Sequence, residues 1–261
     1  MELALYSAAT GMDAQQRNLD VIANDIANVN TTAYKRTQNE FKDLIYQTLK
    51  PIGMDPGDGT KTPTGIQVGN GTQLAATTKI FTQGQLTQTG NEMDVAIEGN
   101  GFFEVKMPDG RTVYTRDGSL KLNSDGKVVN AEGLEIGSGF QDIPVNQVGI
   151  GISPTGMVSI KLPDGTTQSF NIQLAKFANP SGLKALGNNL FESTDASGEA
   201  TLGDPGLDGY GNLRQYYLEM SNVNVVQSMV NMIIAQRAYE MNSKSIQTAD
   251  EMMSRINQLK H

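Results

Sequence analysis

Histidine and cysteine, which most often supply an enzyme's general base or nucleophile, are nearly absent from this chain. The single histidine is His261, either an ordinary chain end or an added residue, and the 261 residues include no cysteine. A terminal histidine has no following residue to position it, which argues against a Ser-His-Asp triad. The lack of cysteine excludes a cysteine nucleophile, a thiolate zinc site and a disulfide scaffold.

Three other patterns could be read as sites, and each is weak. The run GLEIGSGF at 133–140 has no helix pattern after it, so we expect turns and not a nucleotide fingerprint. The run DPGLDGYGN at 204–212 lacks the spacing of an EF-hand calcium loop. Acidic residues on turns could supply the carboxylate pair of a glycoside hydrolase, but no apolar pocket pattern surrounds one. We therefore predict no catalytic, cofactor or metal site, with a cell-wall hydrolase kept as an alternative.

The residues that most need a partner are amides. Asn24 and Asn28 follow Ala23 and Ala27 in a stretch of helical spacing. An asparagine inside a helix costs about 0.5–0.7 kcal/mol relative to alanine. Buried amides in helix seams select register and partner more than they add stability. We therefore predict that these two amides contact neighbouring subunits.

An amphipathic helix at the N-terminus has to position these amides. Apolar residues recur at seven-residue intervals, and seven of the eight seam positions are apolar. The pattern predicts about thirty helical residues, or ~45 Å of helix. The seam positions are Leu5, Ala8, Met12, Gln15, Leu19, Ile22, Ile26 and Val29.

A second long helix is predicted at the C-terminus. Residues 221–259 contain neither glycine nor proline, and Ser221 or Asn222 could cap the first turn. Thirty-nine helical residues would span ~58 Å. Apolar side chains occur on more than one side of this helix, so pairing with the first helix would cover only part of them.

Both helices are longer than the usual 11–12 residues, which favours contacts with several neighbours. An intramolecular helical hairpin that closes a globular domain is the alternative. The predicted contacts between subunits are Leu5, Met12, Leu19, Ile22, Asn24, Ile26, Asn28, Tyr34, Met229, Met232, Ile233, Gln236, Tyr239, Ile246 and Met253.

The middle of the chain loses the helical period after Phe41. Residues 46–73 are rich in Gly, Pro, Thr and Asp and predict an extended arm, with a flexible linker as the alternative. From about Ala75, short alternating runs predict strands joined as hairpins. The fold class is therefore mixed α and β, with two terminal helices, an extended arm and an inserted β-rich domain. The predicted hairpin turns lie at 108–110, 124–126, 154–156 and 163–165.

Composition narrows the classes of partner. A net charge of −8 argues against nucleic acid, because phosphate binding needs a basic surface. Hydrophobic residues make up 38% of the chain, and no window reaches the ~18 apolar residues of a membrane span. The N-terminus lacks the basic and apolar regions of a signal peptide. We expect no membrane insertion, and either a cytosolic protein or one that leaves the cell without a cleaved signal.

Four stretches resemble the bacterial flagellar axial proteins, which are the rod, hook and hook-associated subunits. The first is SAATGMDAQQRNLDVIANDIANVNTTAYKR at 7–36. It is followed in order by DVAIEGNGFFEV at 94–105, YTRDGSLKLNSDGKVVN at 114–130 and SNVNVVQSMVNMIIAQRAYEMNSKSI at 221–246. Within this family, the length and the 46–73 segment are most similar to the distal rod branch. A proximal rod or hook-type subunit and, outside the family, a secreted adhesin remain alternatives.

The resemblance implies a structural subunit without enzymatic activity or cofactor. Such subunits polymerise helically into a hollow, rigid drive shaft that transmits torque from motor to hook and conducts exported subunits. Their implied partners are copies of themselves, proximal rod subunits, the hook protein, the rod cap, and the periplasmic and outer-membrane ring proteins. The family's location is the periplasm-spanning rod of the basal body.

The resemblance also implies a division of the chain into three parts. The terminal helices would form inner layers around the channel, and the β-rich domain would face outward. A segment at the position of the arm is associated with a straight, stiff rod, although the register of 51–61 is left open. The predicted parts are 1–35 with 222–261 for assembly, 36–80 with 212–221 as a linking region including a stiffening arm at 46–73, and 81–211 as the outer domain.

Overall fold

The computed structural model describes residues 2–51, 64–144 and 146–259. His261 and most of the 51–61 segment lie outside the described residues. The chain forms two compact units. A helical unit contains Met1–Ala27, Thr37–Thr78 and Asn224–His261, and a β-rich unit contains Asn28–Arg36 and Lys79–Val223. Long terminal helices with a central set of small antiparallel sheets confirm the predicted fold class.

The N-terminal helix, α1, spans Glu2–Ala27 and has 26 residues. It is shorter than predicted, so Asn28 and Val29 lie beyond its end. The chain turns there, with the Thr31 N–H donating to the Asn28 carbonyl at 3.1 Å. The Thr31 hydroxyl also donates to the Asn28 side-chain oxygen at 3.1 Å. Asn28 is therefore a turn residue, and the cost of an asparagine inside a helix applies to Asn24 alone.

The C-terminal helix, α2, spans Val225–Leu259 and has 35 residues. The predicted caps, Ser221 and Asn222, are wrong. The Asn224 side-chain oxygen accepts from the Gln227 N–H at 3.1 Å, as an N-cap residue does. Asn222 cannot serve as the cap because its amide is bound elsewhere in the chain.

The two helices pack along a seam of small residues. Ala8 and Ala14 of α1 and Ala235 and Ala249 of α2 are buried. Small side chains at these positions allow the two helix backbones to lie close together. The helical unit also contains a pair of strands, β1 with β4, and an antiparallel hairpin of β2 and β3. The bounds are β1 Thr37–Asp43, β2 Gln47–Lys50, β3 Ile66–Val68 and β4 Thr72–Lys79.

The described residues of the β-rich unit form sixteen short strands, β5 to β20. Its largest sheet has seven strands in the order β16-β17-β8-β7-β11-β10-β9. A three-stranded sheet, β12-β13-β14, and the pairs β15-β18, β19-β6 and β20-β5 complete it. The bounds are β5 Leu86–Gln88, β6 Val95–Glu98, β7 Phe103–Lys106, β8 Thr112–Thr115, β9 Lys121–Leu122, β10 Val128–Val129, β11 Glu135–Ile136, β12 Gly149–Ile152, β13 Met157–Lys161, β14 Thr167–Asn171, β15 Leu174–Lys176, β16 Lys184–Gly187, β17 Leu190–Glu192, β18 Thr201–Gly203, β19 Asn212–Gln215 and β20 Tyr217–Glu219, with a 3-10 turn at Pro180–Gly182.

All four predicted hairpin turns are confirmed. They join β7 to β8, β9 to β10, β12 to β13 and β13 to β14. Each turn ends in a glycine with positive φ, the backbone conformation that glycine adopts without strain. The side chains that alternate inward from these hairpins and from β6 form one main apolar core, which includes Ile97, Phe103, Val113 and Ile160.

Candidate assembly surfaces

The first three turns of α2 expose a continuous apolar surface, which we call the outer stripe. It consists of Val226, Met229, Val230, Ile233 and Ile234. Val226 is 72% exposed and Ile233 is 57% exposed. No charged residue occurs between Val225 and Gln236. Contiguous apolar surface without charge is uncommon on a monomeric protein and marks a contact site.

Helix geometry places the outer stripe opposite the seam. At about 100° per residue, the five stripe positions fall within an arc of roughly 140°. Ser228, Met232 and Ala235, which are buried or half-buried, fall on the other side of the same turns. One face of α2 therefore packs against α1, and the opposite face has no cover within the helical unit that the structure describes.

The rest of α2 is also only partly covered. Tyr239, Met241, Met252, Met253 and Ile256 are exposed, and charged residues are interspersed among them. No described helix is long and apolar enough to cross a membrane.

The predicted contact residues fall into three groups. Ile22 and Tyr34 are buried within the chain itself, and the Lys79 ammonium lies 4.5 Å from the Tyr34 ring centroid. The half-buried group lines the seam or the turn after α1: Leu5, Met12, Leu19, Ile26, Asn28, Met232 and Ile246. The exposed group is Asn24, Met229, Ile233, Gln236, Tyr239 and Met253. The intramolecular pairing of the helices, our alternative, thus accounts for much of the α1 seam.

One amide sits inside that seam. A side-chain β-carbon at Gly11 would lie 2.8 Å from Nδ2 of Asn242, so only glycine leaves room for this amide. Asn242 is half-buried on α2. Sequence patterning suggested amides as register markers between subunits, and here an amide marks the register between two helices of one chain.

The end of α1 is bound to β1 by a buried carboxylate, Asp25, which is not among the predicted contact residues. Asp25 is buried, and its two carboxylate oxygens lie 3.1 and 3.3 Å from the Thr37 amide nitrogen. An acidic residue in the last turn of a helix opposes the helix dipole. That unfavourable placement was the only available signal that Asp25 has a partner.

The arm presents a second exposed apolar surface. Ile45 is 86% exposed, and Tyr46, Leu49 and Ile66 are also exposed. Its base is fixed by Asn70, whose Nδ2 donates to the Ile45 carbonyl at 2.8 Å. A hydrogen bond to the Asp43 carboxylate raises the pKa of the exposed Tyr46 hydroxyl. The arm is therefore anchored at its root while its apolar side chains remain open to solvent.

A depression beside the arm base adds to this surface. It has a volume of about 440 Å³ and is lined by Tyr6, Leu44, Ile45 and Asn70. Tyr6 projects from the first turns of α1 and is itself exposed. The depression could accept one large apolar side chain of a neighbouring protein.

Three of the buried charged side chains in the β-rich unit lie together, and we call them the charge cluster: Lys35, Arg116 and Glu219. The Lys35 ammonium donates to Glu219 Oε1 at 2.6 Å, and Arg116 Nε donates to Glu219 Oε2 at 2.9 Å. None of the three side chains is more than 3% exposed. Burial and the nearby Arg116 guanidinium lower the pKa of Lys35 to about 8, against the opposing pull of Glu219. Sequence reasoning missed the cluster because its members lie far apart in the chain.

Asn222, predicted as a helix cap, instead joins two other stretches of the β-rich unit. Its side-chain oxygen accepts from the Arg36 N–H at 2.7 Å. Its Nδ2 donates to the carbonyls of Ile80 at 2.8 Å and Thr82 at 3.1 Å. Asn222 therefore links the backbone at 36 to the backbone at 80–82 through hydrogen bonds.

Three family models match the chain in order. Residues 5–35 match the model described as "Flagella basal body rod protein". Residues 96–160 match "Flagellar hook protein FlgE/F/G D1 domain", and residues 214–259 match "Flagellar basal body rod FlgEFG protein C-terminal". The matches cover α1, much of the β-rich unit and α2.

Curated relatives extend the match over the whole length. The flagellar basal-body rod protein FlgG of Borreliella burgdorferi is 47% identical over 264 residues, covering 100% of this chain and 99% of the relative. FlgG of Bacillus subtilis is 37% identical over 262 residues, covering 98% of each. The flagellar hook-basal body complex protein FlhP of the same organism is 29% identical over 268 residues, covering 98% of this chain and 99% of the relative. Within one organism, the similarity is thus higher to FlgG than to its paralogue.

Proposed function

This chain belongs to the flagellar basal-body rod family FlgE/F/G, in its FlgG branch, and from that premise we propose how its surfaces serve the rod. It is a structural subunit of the distal rod, it is not an enzyme, and it assembles with rod and hook components. The proposal is that the outer stripe and the arm are the surfaces on which copies of this chain meet in a helical polymer.

The outer stripe carries the proposal. Burying one large aliphatic side chain stabilises a contact by about 1.5–3 kcal/mol. The five side chains of the stripe lie on three consecutive turns and face away from α1, so a single neighbouring helix could cover them together. No charge has to be desolvated between 225 and 236, which lowers the cost of that contact.

The geometry of a polymer fits these surfaces better than a closed dimer does. The outer stripe is a helix face, whereas the arm is a hairpin with exposed Ile45, Leu49 and Ile66. Two different apolar surfaces on one subunit allow head-to-tail contacts, and head-to-tail contacts that do not close generate helical filaments. We propose that each copy offers both surfaces, to different neighbours.

The β-rich unit supports the remaining part of the proposal. Its core is closed within the chain, so it needs no partner to remain folded. We propose that it forms the outer layer of a hollow shaft and that the terminal helices form the inner layers. The shaft would transmit torque to the hook and conduct exported subunits. Proximal rod subunits, hook protein, the rod cap and the ring proteins are the proposed partners at its ends and outer surface.

A pair of charge insertions on α2 tests this function. Ile233→Lys places an ammonium in the centre of the outer stripe, and Asn231→Lys places one on an exposed position outside the stripe arc. We expect the Ile233→Lys protein to form no polymers in electron micrographs. We also expect it to fail to restore motility to a strain that lacks its own rod subunit. Asn231→Lys should leave polymers and motility intact. Normal rods from Ile233→Lys would reject the outer stripe as the assembly surface.

A further inference from the structure

The charge cluster contains two cations and one anion, all buried. Lys35 and Arg116 supply the positive charges, and Glu219 supplies the carboxylate. Removing one partner of a buried ion pair is strongly unfavourable, because it leaves the other charge buried without compensation. Without Glu219, two cations would face each other in the protein interior. The stretches that carry them can therefore pack stably only after residue 219 has docked.

Glu219 also contacts the chain beside Lys35 and at Gly84 directly. Its Oε1 accepts from the Gly84 N–H at 2.8 Å as well as from Lys35. Its backbone carbonyl accepts from the Ala33 N–H at 2.7 Å. Ala33 has a φ of 56°, a left-handed conformation that is unfavourable for a residue with a β-carbon. Docking of Glu219 thus compensates both the buried cations and a strained residue.

The other two buried partners are also satisfied inside this region. Lys35 donates a second hydrogen bond to the Thr82 carbonyl at 2.7 Å. Arg116 donates to the carbonyls of Gly101 at 3.1 Å and Gly99 at 2.9 Å. A fully satisfied network of this kind fixes one arrangement of the segments that form it.

Asn222 repeats the connection three residues later. It binds the backbone of Arg36 and of Ile80 and Thr82, the same two stretches that Glu219 joins. In the sequence, 28–36 follows α1 directly and Asn222 stands two residues before Asn224, the cap of α2. The same contacts therefore fix the chain just after one terminal helix and just before the other.

We propose that residues 219–222 are the closing piece of the β-rich unit. When they dock, 33–36 and 80–84 become fixed together, and these three stretches open and close as one cooperative unit. Lys35, Arg116 and Asn222 are positioning residues in this device, and Glu219 is its centre. Resting on the proposed function, a subunit would then offer both terminal helices for assembly only after its last β-strand has folded.

Hydrogen exchange of the full-length monomer tests the proposal, with Glu219→Gln as the main variant. The substitution keeps the shape of the side chain and removes its charge. We expect exchange in 33–36, 80–84 and 219–222 to rise by at least about tenfold and by a common factor, as loss of a charge-assisted hydrogen bond would give. Exchange in the three-stranded sheet at 149–171 should not change.

The matched control is Glu98→Gln, which removes a half-exposed carboxylate 3.7 Å from Arg214. It should leave all three stretches at the rates of the unmodified chain. A rise confined to 219–222, or different factors in the three stretches, would overturn the proposal. Lys35→Met removes the cation that Glu219→Gln leaves in excess, so the double variant should exchange more slowly than Glu219→Gln alone. Equal exchange in these two variants would also overturn the proposal.

If Glu219→Gln does not fold, Asn222→Ala takes its place because it changes no charge. It should also raise exchange in the three stretches by one common factor, and separate responses would overturn the proposal. These measurements use monomers, so they do not depend on polymerisation. If the Ile233→Lys protein formed polymers, the proposed assembly surface would be rejected. The proposal for the closing piece would not be affected by that result.

Discussion

The two units of this chain bury different kinds of side chain. The largest fully buried residues all belong to the β-rich unit, among them Phe103, Ile97 and Leu120. Among the described residues of the helical unit, the buried apolar ones are Ala8, Ala14, Ile22, Ala235 and Ala249, and most large apolar side chains of α2 are exposed. One unit has a complete core, whereas the other buries mainly alanines and leaves most of its large apolar side chains half-buried or exposed.

This difference shows where the chain depends on partners. Burial of large apolar groups supplies most of the free energy of folding, and an alanine seam supplies little. Long helices held by a weak seam are marginal by themselves and gain stability when neighbours cover them. We therefore expect the β-rich unit to be stable in a monomer and the helical unit to be completed by the proposed assembly.

Truncating one large side chain in each unit tests this difference in burial most strongly. Phe103→Ala removes a fully buried ring from the main core and should lower the free energy of unfolding by about 3–5 kcal/mol. Ile233→Ala removes an exposed side chain and should change it by less than about 0.5 kcal/mol in the monomer. Urea unfolding of both variants measures the contrast. Equal losses would mean that the outer stripe is already buried in the monomer.

The pH dependence of stability tests the burial of Lys35 in the β-rich unit. The folded pKa of Lys35 is about 8, below its ordinary value of 10.5. Between these two values the unfolded chain binds more protons, so the free energy of unfolding should rise with pH from about 8 to about 10.5. Below about pH 8 the contribution of this group is constant.

Lys35→Met is the control for that prediction because other lysines and tyrosines titrate in the same range. The difference in slope between the unmodified chain and Lys35→Met isolates the buried ammonium. Two parallel curves of unfolding free energy against pH would show that Lys35 keeps its ordinary pKa in the folded protein.

The smallest expected effect concerns the seam of the helical unit. Gly11→Ala should stabilise α1 by about 1 kcal/mol from helix propensity alone. The new β-carbon would lie 2.8 Å from the Asn242 amide, which should cancel that gain. In an Asn242→Ala background the gain should reappear, and melting temperatures of the four proteins complete the cycle. If Gly11→Ala alone gave the full gain in stability, the Asn242 side chain could not lie against Gly11.

Local sequence signals predicted the elements whose causes are local. The Asp-Gly and Thr-Gly turns at 109–110, 125–126, 155–156 and 164–165 identified the hairpins because glycine supplies the positive φ that each turn needs. The heptad of α1 likewise identified a real seam. Periodicity could not say whether that seam faces another subunit or α2, since both neighbours would select the same residues.

Features that depend on distant partners could not be predicted. Asn222 and Asn224 are equivalent cap candidates by residue type, and only the binding of Asn222 to 36 and 80–82 decides between them. Lys35 and Glu219 are 184 residues apart, so nothing in either neighbourhood indicates the pair. The location of the exposed apolar surface could be predicted in part, because Met229 and Ile233 were selected and Val226 was not.

Thiol labelling tests the central claim most directly, because the natural chain has no cysteine. Ile233→Cys places one thiol in the outer stripe, and Met157→Cys places one at an exposed position of the β-rich unit. We predict that both thiols react at similar rates in monomers, and that only the thiol at 233 becomes protected in polymers. Equal reactivity of the thiol at 233 before and after polymerisation would contradict the claim that assembly buries this face of α2.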